Sequence, residues 1–193
     1  TSMTRIKDMP EEVLYQMETS LLQMHSQQQY KPVDLAKREE LWCAVVSDKP
    51  YYLQFVQKQT FEMCLAAVRH NGAAIDFVID PVNVLQLASK SDRRLFNISN
   101  WTCGLVDALL ASGHYTFKFQ YCDSNGRVQK YKPEDLTKMM NLDEKHDYRL
   151  CVDVMKDNSY LYRLYPFDLN QELVDHIYDK VYKNNDQLMP EEK

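Results

Sequence analysis

The sequence predicts a mainly α protein built from short helix-turn-helix repeats with one inserted β-hairpin. Three observations carry that expectation. Only 4 glycines occur among 193 residues, too few for the frequent tight turns of a β-sandwich. Apolar residues recur at helical spacing along several segments with start and stop signals. One apolar pattern also returns after 22 residues, as repeat architectures do.

The first helix is expected over about 10–28, opening at Pro10, where a missing N–H costs nothing. Val13, Met17, Leu21 and Met24 give it an amphipathic face. Lys31-Pro32 breaks the pattern. A second helix is expected from about Val33 to Val46, before Asp48-Lys49-Pro50. The stretch Leu41–Val56 then aligns without a gap on Met63–Val78. Ala44, Val46, Phe55 and Val56 meet identical residues at Ala66, Val68, Phe77 and Val78. A third copy is read at Leu150–Tyr165, with Cys151 matching Cys64 and Asn158 matching Asn71. Each copy reads as an apolar helix, a polar turn and a shorter apolar return, too small to bury its own face unless neighbours stack on it. The whole chain, 1–193, is expected to form one domain, with repeat-like units at about 37–123 and 148–183.

The stretch Cys64-Leu65-Ala66-Ala67-Val68-Arg69-His70-Asn71-Gly72-Ala73-Ala74-Ile75-Asp76-Phe77-Val78 resembles a helical repeat of unknown function found in effector proteins of intracellular bacterial pathogens. The resemblance covers roughly two-fifths of the chain when weaker copies are counted. It implies a virulence effector, present in the bacterial cytoplasm before secretion and then in the host cytoplasm, that engages a host protein. The family supplies no catalytic residues to carry over.

Strands are expected only in the middle. Tyr115–Tyr121 alternates with period two, and Ser124-Asn125-Gly126 is a turn signal before Val128–Tyr131, so a β-hairpin is expected over 114–131. Pro133-Glu134-Asp135 opens another short helix. Asp168-Leu169-Asn170-Gln171 starts a last one running to about Lys183, and the tail 184–193 should fray.

Composition narrows the function. The net charge is -5 and basic residues are scattered among acidic ones, so no electrostatic footprint for nucleic acid exists. No apolar run reaches membrane-spanning length, so no membrane insertion is expected, and the first ten residues lack a signal-peptide pattern. Five cysteines without a CxxC pair read as reduced, mostly buried thiols. Without Gly-rich phosphate loops or zinc-type spacings, neither a cofactor nor a metal is expected.

One catalytic constellation stands out. Gly113-His114-Tyr115 opening a strand, with Asp123 following, resembles the histidine segment of papain-like and deubiquitinating folds, and Cys64 would be the nucleophile. Cys103 is set aside, because a helix from Asn100 to Ser112 would hold it roughly 16 Å from His114 at about 1.5 Å per residue. Cys64 recurs at a repeat position, which packing explains more economically. The chain therefore reads as a protein-binding module rather than an enzyme. The alternative is a cysteine-dependent hydrolase or transferase acting on a host protein, ubiquitin-like proteins included. The binding residues singled out are Tyr160, Tyr162 and Tyr165, whose aliphatic counterparts at the equivalent positions of the second copy are Ala73, Ile75 and Val78. Tyrosine offers amphipathic contact area at small entropic cost.

Overall fold

The computed structural model describes residues 10–26, 35–91, 98–129 and 147–183. The chain divides into two compact units, Thr1–Val84 with Arg93–Ser99, and Leu85–Asp92 with Asn100–Lys193. The expected strand end at Lys130–Tyr131, the helix opening at Pro133 and the tail 184–193 lie outside the described residues.

The first unit is helical. It contains α1 (Glu11–Ser26), α2 (Leu35–Asp48), α3 (Phe61–His70) and the first turn of α4 (Pro81–Lys90). Helices α2 and α3 are each followed by a 3₁₀ turn, Pro50–Phe55 and Gly72–Phe77. The 22-residue offset thus links two segments of the same local geometry. Trp42, Val46, Leu53 and Val56 are buried, and so are their counterparts Cys64, Val68, Ile75 and Val78. Local polar groups fix both ends of α3. Thr60 Oγ1 accepts from the Met63 N–H, and Asn71 Oδ1 accepts from the Ala73 N–H, satisfying donors that a helix start leaves open.

Gln59 holds the two copies in register. Its side-chain amide donates to the carbonyls of Leu53, at 3.3 Å, and Phe77, at 2.7 Å, while its oxygen accepts from the Ile79 N–H at 2.9 Å. One side chain therefore closes the ends of two successive 3₁₀ turns.

The second unit overturns the mainly α expectation: the protein is mixed α and β. Helix α5 (Cys103–Ala111) precedes β1 (Tyr115–Cys122) and β2 (Val128–Gln129). Then come β3 (Arg149–Lys156), β4 (Ser159–Leu164) and α6 (Gln171–Ile177), which continues as a π turn over Tyr178–Tyr182. The four strands form an antiparallel sheet in the order β2-β1-β3-β4. The third repeat copy is therefore the β3–β4 hairpin, not a helix pair. Val152 and Val154 are β-branched, Tyr160 and Tyr162 are aromatic, and such residues favour a pleated surface. Asp157 and Asn158 both take positive φ, 49° and 67°, the backbone of a two-residue hairpin turn. The matching Asn71 is extended, at φ -155°, and ends α3; Asn158 reverses a strand.

Tyr115, Phe117, Phe119 and Tyr121 of β1, with Leu150, Val152 and Val154 of β3, are buried in this unit's core. Leu105, Val106 and Leu109 of α5 and Leu173, Val174 and Ile177 of α6 are buried as well. Thr102, rather than Asn100, caps α5, accepting from the Leu105 N–H; Asn100 is left-handed at φ 56°. Asn170 caps α6 through the Leu173 N–H.

Candidate functional site

Strand β4 and the turn after it carry the three tyrosines singled out in the sequence, and the structure separates them. Tyr162 pairs with Val154 and Tyr160 with Met155 across a bulge, so the two rings leave opposite faces of the sheet. Tyr162 is half-buried, stacked on Trp101 at 6.4 Å, and Trp101 meets Phe117 edge-on. Tyr162 thus packs against the core. Tyr160 is 59% exposed. The Arg163 guanidinium lies 5.5 Å from its ring centroid, an attractive cation–π geometry.

Arg163 is itself held by a bidentate pair with Asp153, at 2.6 and 3.0 Å. These bonds raise the guanidinium pKa further above its ordinary value, so its charge is permanent. Tyr160 is therefore presented against an immobilised cation.

Tyr165 belongs to a second feature that the sequence reading missed. Its ring lies over Gly126, where an added Cβ would sit 3.4 Å from Cε1, and it stacks on Phe167 at 6.0 Å, 6° from parallel. Phe167 is 83% exposed. The pair is held by backbone: Pro166–Asp168 forms a 3₁₀ turn, and the Tyr165 N–H donates to Asp168 Oδ2 at 3.0 Å. The signal for Phe167 was present in Tyr165-Pro166-Phe167-Asp168. A proline-led turn of this kind projects its next side chain outward instead of continuing the strand.

The catalytic alternative lacks a reactive thiol at Cys64 and a contact between His114 and Asp123. Cys64 is 2% exposed, and burial first, then Cys43, raises its pKa from 9.0 to about 11. At neutral pH it is a thiol. His114 and Asp123 bracket β1, nine residues apart, roughly 30 Å at about 3.3 Å per extended residue. His114 Nδ1 instead meets Asp157 Oδ1 at 3.1 Å. Asp123 is engaged in its own turn, accepting from the N–H groups of Asn125 and Arg127 and from the Gln129 amide.

Two other thiols have charged neighbours. Cys103 stands beside an unforeseen pair, His176 Nε2 to Asp107 Oδ1 at 2.6 Å, but burial and the carboxylates of Glu172 and Asp107 raise its pKa. Cys122 is lowered to about 7, chiefly by a hydrogen bond with Cys151 and then by Arg163 and Arg149, against the opposing effect of burial. It is only 2% exposed.

Among the described residues, no three His, Cys, Asp or Glu side chains cluster as a metal site, and no helix is long and apolar enough to cross a membrane. The fold places the chain in the mixed α and β class, with a helical unit and an antiparallel sheet unit. No family model, curated protein or solved structure matches it.

Proposed function

We propose that this chain is a protein-binding module of a bacterial effector, engaging a host protein through the aromatic surface of its C-terminal hairpin. The observation that carries the proposal is Phe167, a large apolar ring 83% exposed and fixed against Tyr165 by a hydrogen-bonded turn. A single exposed apolar side chain is ordinary on a protein surface, but here two adjoining rings, Phe167 and the 37% exposed Tyr165 stacked on it, face water together. Rigid aromatic anchors also dominate binding energies because they lose little entropy on association. Tyr160, braced by Arg163, adds a second ring with a polar tip. The resemblance of residues 64–78 to effector repeats supports the host-protein assignment.

Affinity capture from host-cell lysate, comparing the natural chain with Phe167→Ala and Tyr160→Ala, tests the reading. A host protein retained by the natural chain should be lost in both variants while their melting temperatures stay unchanged. Equal retention by all three chains would place binding elsewhere.

A further inference from the structure

The sheet of the second unit brings two cysteines side by side. Cys122 ends β1 opposite Arg149, and Cys151 lies two residues further along β3, opposite Gln120. Successive side chains of a strand leave opposite faces, so both thiols stand on the face away from Tyr121 and Leu150, as diagonal neighbours. They share a hydrogen bond, and both are buried, Cys122 at 2% and Cys151 at 0% exposure. Among the described residues, Cys43, Cys64 and Cys103 hydrogen-bond to no other sulfur.

The two sulfurs differ in character. The hydrogen bond from Cys151, with the charges of Arg163 and Arg149, lowers the Cys122 thiol from 9.0 to about 7, against the opposing effects of burial and Asp123. The same bond, with burial, raises Cys151 and keeps it protonated. Near neutral pH one sulfur is therefore a nucleophile, and a thiol lies beside it. That is the arrangement of an attacking and a resolving cysteine. Cys43, Cys64 and Cys103 are all raised instead.

We propose that Cys122 and Cys151 form a peroxide-sensitive dithiol that closes to a reversible disulfide linking β1 to β3. The Cys122 sulfur attacks one oxygen of hydrogen peroxide, the O–O bond breaks, and hydroxide leaves and takes up a proton to become water. The Cys151 sulfur then attacks the sulfur of the resulting sulfenic acid. The S–O bond breaks, the S–S bond forms, and the oxygen leaves with the Cys151 proton as a second water. The two thiols lose two electrons and one peroxide becomes two waters.

Burial selects a small oxidant over a bulky disulfide. Cys122 also ends its strand, next to a β2 pairing of two residue pairs, and strand ends open at the least cost. Diagonal neighbours lie roughly 7–8 Å apart at Cα, at the far limit of what a disulfide spans, so the bridge draws the two strands together under strain. Strained bridges are readily reduced, which makes this one a switch rather than a permanent link. The Arg163 charge acts on the Cys122 sulfur and on the Tyr160 ring alike, so the switch adjoins the aromatic surface; its chemistry holds whether or not that surface binds a host protein.

The test exposes the reduced full chain to a small excess of hydrogen peroxide near neutral pH, followed by intact mass and non-reducing peptide mapping. The chain should lose about 2 Da, a Cys122–Cys151 bridge should appear, and dithiothreitol should restore both thiols. Cys43, Cys64 and Cys103 should still alkylate after unfolding. Cys151→Ser should stop at a sulfenic acid on Cys122, trapped by dimedone, and Cys122→Ser should slow thiol loss about tenfold or more. The peptide map of the natural chain decides the matter even where a variant fails to fold. A bridge between other cysteines, a gain of about 32 Da at one sulfur in place of the loss, or five intact thiols after excess peroxide would overturn the proposal.

Discussion

The hydroxyl of Tyr182 accepts a hydrogen bond from the Phe119 N–H at 2.6 Å and donates one to the Phe117 carbonyl at 3.3 Å. On that side, among the described residues, β1 pairs with β2 at Tyr121 and Cys122, and the phenol stands where a neighbouring strand would continue. Its ring stacks on Phe119 at 4.6 Å. Tyr182→Phe keeps the ring and strands a buried N–H, so we expect a loss of about 1–3 kcal/mol in urea unfolding. A loss below roughly 0.5 kcal/mol, the ordinary scatter of neutral surface changes, would show that another group satisfies this edge.

Gln59 offers a sharper test, because its amide both donates and accepts. Gln59→Glu preserves shape but aims a carboxylate at the carbonyls of Leu53 and Phe77. We expect it to destabilise more than Gln59→Leu, each by roughly 1–3 kcal/mol. The order, read from denaturant midpoints, should reverse only if the two carbonyls find other donors.

Asp153 is 5% exposed and bound by both arms of Arg163. Removing one partner leaves an uncompensated buried charge, which costs roughly 3–5 kcal/mol. Asp153→Leu alone should approach that loss, whereas Asp153→Leu combined with Arg163→Met should recover much of it. A double-mutant cycle showing simple additivity would count against the pair as a coupled unit.

Two thiols, buried Cys64 and half-buried Cys43, set an alkaline limit. Burial raises Cys43 and Cys64 from 9.0 to about 11. The unfolded chain therefore releases these protons first, and stability present in full below pH 9 is lost as pH rises through 11. Melting temperatures measured from pH 8 to 11 should fall above 9, and less steeply in Cys64→Ala relative to its own value at pH 8. Near neutral pH, Cys64 should react slowly with iodoacetamide when folded; fast, selective labelling would revive it as a nucleophile.

Tyr162 and Phe167 should separate packing from recognition. Tyr162→Ala removes the ring stacked on Trp101 and should cost about 2–4 kcal/mol of stability. Phe167→Ala should leave stability within about 0.5 kcal/mol. Equal melting temperatures for both would mean that Tyr162 is not part of the core.

What the sequence determined by itself is local. The start of the last helix within Asp168–Gln171, the buried positions shared by α2 and α3, and the alternation of Tyr115–Tyr121 all depend on contacts within a few residues, which one chain segment displays alone. Pairing across the sheet is different. Leu150–Met155 is apolar at nearly every position, so its pattern suits a buried helix and a buried strand equally. Its register against Tyr115–Cys122 decided for the strand, and that choice sent Tyr160 and Tyr162 to opposite faces. Tertiary structure alone likewise brought Tyr182 to β1 and His176 to Asp107. It also left Val13, Met17, Leu21 and Met24 facing a cleft, because a helix pattern specifies an apolar face but not whether a neighbour is wide enough to cover it.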